Sequence, residues 1–184
     1  MFFNTSTLLL PLLVIGAAAI PQGERATTTS NVKIYAYGDG ISGLPVYADP
    51  NGLAYISSSA TSNLSDVSWT IATGGTAPWN VTLASNTTTT KSQFYVITTS
   101  GAYSPAGFVA SNETAPSGAE TIGFTLYGSD VMFISDSTYH AKFWAQDIGA
   151  DSEWKLVWNV NGTGQSASVP VTLKTTAPTT VDKS

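Results

Sequence analysis

The chain of 184 residues has no cysteine, a single histidine and few charges: Asp, Glu, Lys and Arg together make up 10%. Without thiols no disulfide can staple the fold, so stability has to come from burial and strand pairing. One imidazole and no thiolate leave zinc and type-II copper sites without their usual ligands, and no metal or other cofactor is expected. Seven Lys and Arg against twelve Asp and Glu give a net charge of −5 with no basic block. Nucleic acid and anionic membranes are therefore poor partners. No Gly-x-Ser-x-Gly elbow accompanies His140, so a serine-hydrolase triad is not expected either.

Long apolar runs are also missing beyond the start of the chain. Leu8 to Ala19 is uninterrupted by charge and ends in Ala17, Ala18 and Ala19. Small residues at Ala17 and Ala19 satisfy a signal-peptidase site, so residues 1–19 read as a secretory signal peptide with a mature start at Ile20. The run falls short of the roughly 20 residues that span a bilayer, so no membrane association is expected after cleavage. Five N-glycosylation sequons follow, at Asn63, Asn80, Asn86, Asn112 and Asn161. Together these features predict a glycoprotein that is secreted, extracellular or cell-wall associated.

After cleavage about 165 residues remain, enough for one domain burying roughly 70% of its unfolded surface. Residues 20–31 and 175–184 are Thr-, Ser- and Pro-rich and aperiodic, and read as flexible tails around a domain at 32–174. Inside it, short apolar runs alternate with turn residues and no helical period develops. The prediction is all-β: a single antiparallel β-sandwich without disulfides, with strands at 32–37, 45–48, 53–56, 67–71, 79–84, 92–98, 121–127, 131–135, 139–146, 153–159 and 167–174. Asp49-Pro50-Asn51-Gly52 should close a tight hairpin, because Pro50 presets φ and a calcium loop would need a further bidentate carboxylate.

Side-chain alternation assigns faces. The sequon residue Asn80 must point to solvent, so Trp79 points inward, and Trp69 shares its parity with the apolar Val67 and Ile71. A hairpin centred between Gly149 and Ala150 would set Phe143 against Leu156, Ala145 against Trp154 and Ala141 against Trp158 on an apolar face. Its other face would pair Trp144 with Lys155, Gln146 with Glu153, Lys142 with Val157 and His140 with Asn159. An indole among Lys142, Gln146, Glu153, His140 and Lys155 is a candidate platform for a sugar ring; the alternative is that Trp144 merely covers Lys155 in a cation–π pair. Tyr35 and Tyr37, on one face with Lys33, form a second aromatic patch.

Two carboxylates at a suitable separation would suffice for glycoside hydrolysis. Asp147, Asp151 and Glu153 cluster around one loop, and Asp130 and Asp136 bracket another strand, but residues of this kind beside turns are ordinarily caps. No catalytic residue is assigned. With its opening Val32-Lys33-Ile34-Tyr35-Ala36-Tyr37-Gly38 and closing Val169-Pro170-Val171-Thr172-Leu173-Lys174, the chain resembles small secreted fungal proteins of the cell surface, including elicitors of the plant hypersensitive response. That resemblance implies a non-enzymatic surface or effector protein whose partner is a cell-wall polysaccharide or a host surface protein. Two alternatives stay open: a carbohydrate-active enzyme using paired carboxylates, and a purely structural wall protein.

Overall fold

A computed structural model describes residues 27–61, 63–84, 89–150 and 152–179. The expected signal peptide at 1–19, the sequon residue Asn86, Asp151 and the ends of both expected tails lie outside these. Every described element is a β-strand: β1 (Thr28–Val32), β2 (Tyr35–Gly38), β3 (Ile41–Ala48), β4 (Ala54–Ser57), β5 (Ser65–Ala72), β6 (Asn80–Ala84), β7 (Thr89–Ile97), β8 (Tyr103–Pro105), β9 (Gly107–Ala110), β10 (Ala119–Glu120), β11 (Phe124–Tyr127), β12 (Asp130–Ser135), β13 (Thr138–His140), β14 (Phe143–Ala150), β15 (Glu153–Asn159) and β16 (Ser168–Lys174).

The all-β expectation holds, but the two-sheet sandwich gives way to a barrel. Antiparallel pairings run β2 to β3, β3 to β4, β4 to β15, β15 to β14, β14 to β16 and β16 back to β2, closing a ring of six strands. A ring this narrow has little interior and selects small inward side chains. Ala36, Ala48, Ala54 and Ala145, one each on β2, β3, β4 and β14, are fully buried at 0% exposure. Outer strands branch off the ring: β5, β6, β7 and β9 continue from the far end of β3, and β12 continues from β16 with β11 and β13 on its flanks.

One aromatic core joins the ring to these branches. Trp69 packs edge-on against Trp79, Phe94 and Phe108, and Phe94 continues to Phe124 and Phe143. Phe143 and Phe133 both meet Trp158. Contacts of this geometry each contribute about 0.5–1.5 kcal/mol beyond area burial, which offsets part of what a disulfide would supply. Trp69 and Trp79 are core residues, as their parity requires. The 49–52 turn forms: Gly52 N–H donates to the Asp49 carbonyl at 3.0 Å, and the Asp49 carboxylate accepts from Asn51 N at 2.9 Å and Leu53 N at 2.7 Å.

Three local readings change. Thr28–Asn31, assigned to a tail, pair with β5 as part of β1. The predicted strand 139–146 is two strands, because the chain leaves β12 after His140 and joins β15 from Phe143. The hairpin register is displaced by two: Phe143 faces Trp158, Trp144 faces Val157, Ala145 faces Leu156 and Gln146 faces Lys155. The chain reverses between Ala150 and Glu153, which alone would displace the pairs by four, and a bulge between Asp147 and Ala150 takes back two. Gly149 takes φ 74 there, and its N–H is capped by the Asp147 carboxylate at 2.7 Å, so the reversal falls further along the chain than alternation alone suggests.

Candidate functional site

The displaced register decides what surrounds Trp144. A slip of two keeps every side chain on its face, so Trp144, Gln146, Lys155 and Val157 still share the outer surface. Trp144 is half-buried between Val157, which is 1% exposed although it faces outward, and Pro170 of β16. Its cross-strand partners are apolar, and Lys155 lies two residues along β15, opposite Gln146. The Lys155 ammonium instead lies 5.9 Å from the ring centre of Tyr55, its neighbour on β4. Burial raises the Tyr55 phenol above its usual pKa, with Asp49 and Glu153 adding to the shift.

The other residues expected beside Trp144 disperse. Lys142 donates to the Val160 carbonyl at 2.6 Å and so holds the loop after β15. His140 sits on β13 opposite Phe133. Glu153 lies at the far end of β15, opposite Ala150 and Ser57. Trp144, Gln146 and Lys155 therefore remain on one face of the hairpin, while His140 lies on β13, Glu153 at the far end of β15, and the Lys142 ammonium is engaged at Val160. Beyond that patch, Asn161 of a sequon is exposed in the same loop that Lys142 fastens.

A better-formed concavity lies across β16, at the second aromatic patch. Strand β16 passes from β14 to β2 after Pro170, a residue with no N–H to lose at such a switch. Its outward residues continue as Thr172, opposite Tyr37, and Lys174, opposite Tyr35 on one side and Asp130 on the other. A cavity of about 490 Å³ opens here, lined by Tyr37, Ser42, Ser129, Lys174 and the segment from Thr176 to Thr179. The Lys174 ammonium stands 5.9 Å from the Tyr37 ring centre and 3.3 Å from the Asp130 carboxylate, and Ser129 Oγ donates to the same carboxylate at 3.2 Å. An aromatic face, an ion pair and two hydroxyls thus converge in one place.

No family model, curated protein or solved structure matches this chain. The site's chemistry is therefore read from its geometry. The cavity wall is built by the segment after β16. The Tyr37 hydroxyl donates to the Thr176 carbonyl at 2.9 Å, and Thr175 N–H donates to the Ser129 carbonyl at 3.0 Å. Pro178 rests on Gly43, an extra residue bulged out of the β2–β3 ladder with φ 71. A Cβ on Gly43 would lie 2.6 Å from Pro178 Cβ and 3.0 Å from the Tyr37 hydroxyl, so only glycine admits this seating.

Three of the five carboxylates weighed for hydrolysis are engaged locally. Asp147 caps Gly149, Asp130 pairs with Lys174, and Asp136 accepts from Ser135 Oγ at 3.4 Å. Among the described residues no three of His, Asp and Glu converge as metal ligands would. Sequence reasoning found Tyr37 and missed Lys174, Ser42 and Ser129. Ser42 is opposite Tyr37 in the β2–β3 hairpin through the Gly43 bulge, which alternation does not reveal, and no local signal joins Lys174 and Ser129 to Tyr37 through the pairing of β16 with β2 and β12.

Proposed function

We propose that the chain is a secreted, non-catalytic glycan-binding protein of the cell surface, as its likeness to secreted fungal surface and elicitor-like proteins suggests. The observation that carries this reading is the Tyr37 cavity, in which an aromatic ring adjoins the Lys174–Asp130 pair and the hydroxyls of Ser42 and Ser129. A pyranose offers a C–H-rich face to a ring and hydroxyls at its edge, so it needs both kinds of partner at once. The volume lies within the usual range for small-ligand sites, about 300–1,000 Å³. Because Lys174 is already matched by Asp130, the site suits a neutral sugar better than an anion. None of the four exposed sequon residues among the described residues, Asn63, Asn80, Asn112 and Asn161, lines this cavity or falls on β2, β12 or β16.

The test is retention of the chain from Ile20 on insoluble chitin, β-glucan, cellulose and mannan. Selective retention on one polymer is expected, lost in Tyr37→Ala and Lys174→Gln and kept in Trp144→Ala. Loss in Trp144→Ala with retention in Tyr37→Ala would move the site to the Trp144 patch. Retention on none of the four would overturn the reading.

A further inference from the structure

The side chains most wasteful of apolar surface lie next to this cavity. Tyr127 is 70% exposed and Tyr139 is 56% exposed, and their ring centres stand 6.1 Å apart with planes inclined at 58°. They project from β11 and β13, on either side of β12. In that three-stranded branch the register sets Phe124 and Leu126 against Phe133 and Val131 toward the core. On the other face Tyr127 is opposite Asp130 and Tyr139 opposite Ile134, while Thr125 is buried and its hydroxyl accepts from Gly74 N–H at 3.3 Å. Nothing in the core asks for tyrosine at either position.

Asp130 belongs to both surfaces. It is opposite Tyr127 on β11 and opposite Lys174 on β16, so the outer row runs without a break from the tyrosine pair to the cavity. Ser129 lines the cavity and lies in the turn that begins at Tyr127. The strip between them carries no unmatched charge, because Lys174 and Asp130 neutralise each other. No sequon falls on β11, β12 or β13.

We infer that Tyr127 and Tyr139 form a second subsite for the ligand held at Tyr37, and hence that the preferred ligand is a chain of several neutral pyranose units rather than a mono- or disaccharide. This rests on the glycan reading of the Tyr37 cavity. A unit in the cavity beside Lys174 would direct its neighbours across Asp130 toward Tyr127, whose ring stands 6.1 Å from that of Tyr139.

Calorimetric titration with the disaccharides and hexasaccharides of chitin, β-1,3-glucan, cellulose and mannan tests the inference. Wild type should bind one hexasaccharide at least about tenfold more tightly than its disaccharide, equivalent to about 1.4 kcal/mol. The double variant Tyr127→Ala, Tyr139→Ala should bind both lengths with the disaccharide's affinity, while Tyr127→Phe, Tyr139→Phe keeps the preference. Both rings are exposed, so folding should survive; the Gln double variant, checked by thermal melting, guards against a local collapse. Unchanged hexasaccharide affinity in the Ala and Gln variants, with loss in Tyr37→Ala, would overturn the second subsite and leave the cavity reading intact. Wild type that binds no sugar of either length would overturn both. Self-association lost in the double variant, with hexasaccharide binding intact, would make the pair a contact between copies and would equally overturn the inference.

Discussion

Trp69 and Trp79 meet edge to face with ring centres 6.3 Å apart, yet only one of the two indoles has a partner for its N–H. Trp79 Nε1 donates to the Ala72 carbonyl at 2.8 Å, whereas the buried Trp69 Nε1 has no acceptor among the described residues. Replacing each by Phe should separate packing from polarity. Both variants lose volume, but Trp79→Phe also loses a hydrogen bond and Trp69→Phe removes an unsatisfied donor. An orphaned buried donor costs about 1–3 kcal/mol, so Trp69→Phe should be the less destabilising variant by about 1 kcal/mol or more in urea unfolding. Equal losses would mean that the Trp69 N–H is solvated.

Alkaline pH should unfold the protein before acid does comparable damage through these groups. Burial raises the phenol pKa of Tyr47 and Tyr95 above the usual 10.0, with Asp66 adding to the shift at Tyr47 and Asp49 at Tyr95. In the unfolded chain these phenols ionise at lower pH than in the fold. Stability is thus complete below pH 10 and falls as pH rises from there through the folded-state values. Melting temperature followed from pH 7 to 12 should drop more steeply in wild type than in Tyr47→Phe or Tyr95→Phe. Parallel curves would contradict the assignment.

Gly43→Ala is expected to act on the site more than on the barrel. The new Cβ would collide with Pro178, and a residue other than glycine at φ 71 adds about 1–2 kcal/mol of backbone strain. The 176–179 segment should leave its seat while the β2–β3 ladder persists. Limited proteolysis should then cleave after Lys174 faster than in wild type, and polymer retention should fall. Unchanged cleavage would show that Pro178 does not hold the segment.

Removal of the sequons should leave binding untouched. Expression in a eukaryotic host should give a heterogeneous mass above 19.2 kDa that collapses on N-glycan release. Asn→Gln at positions 63, 80, 112 and 161 should reduce that mass without altering polymer retention, because none of these residues borders the Tyr37 cavity. Retention lost with the glycans would place recognition on the sugars instead.

Local alternation was enough to identify many of the strands and the inward tryptophans, since Trp79 beside the exposed Asn80 leaves no other choice of face. It failed where glycine and proline carry the backbone. Tyr103-Ser104-Pro105 and Gly107-Phe108-Val109-Ala110 read as a loop, yet Pro105 is tolerated in a three-residue strand and Phe108 packs on Trp69. Reversal between Ala150 and Glu153, half offset by the Gly149 bulge, moved the hairpin register by two, which preserved faces and changed the neighbours of Trp144. Ring closure was not legible, because it depends on β16 pairing with β2, more than 130 residues earlier. The Tyr37 cavity depends on that same closure: its tyrosine could be singled out from sequence, but Lys174 and Ser129 reach it only through the tertiary fold.

The most direct test of glycan recognition at this cavity is a backbone amide NMR titration of the chain from Ile20 with the hexasaccharide of whichever polymer retains it. Recognition at the Tyr37 cavity predicts saturable shifts of the Tyr37, Ser42, Ser129 and Lys174 amides, with the hairpin around Trp144 unperturbed. Saturable shifts confined to Trp144, Gln146 and Lys155, or no saturable shift at any sugar concentration, would contradict it.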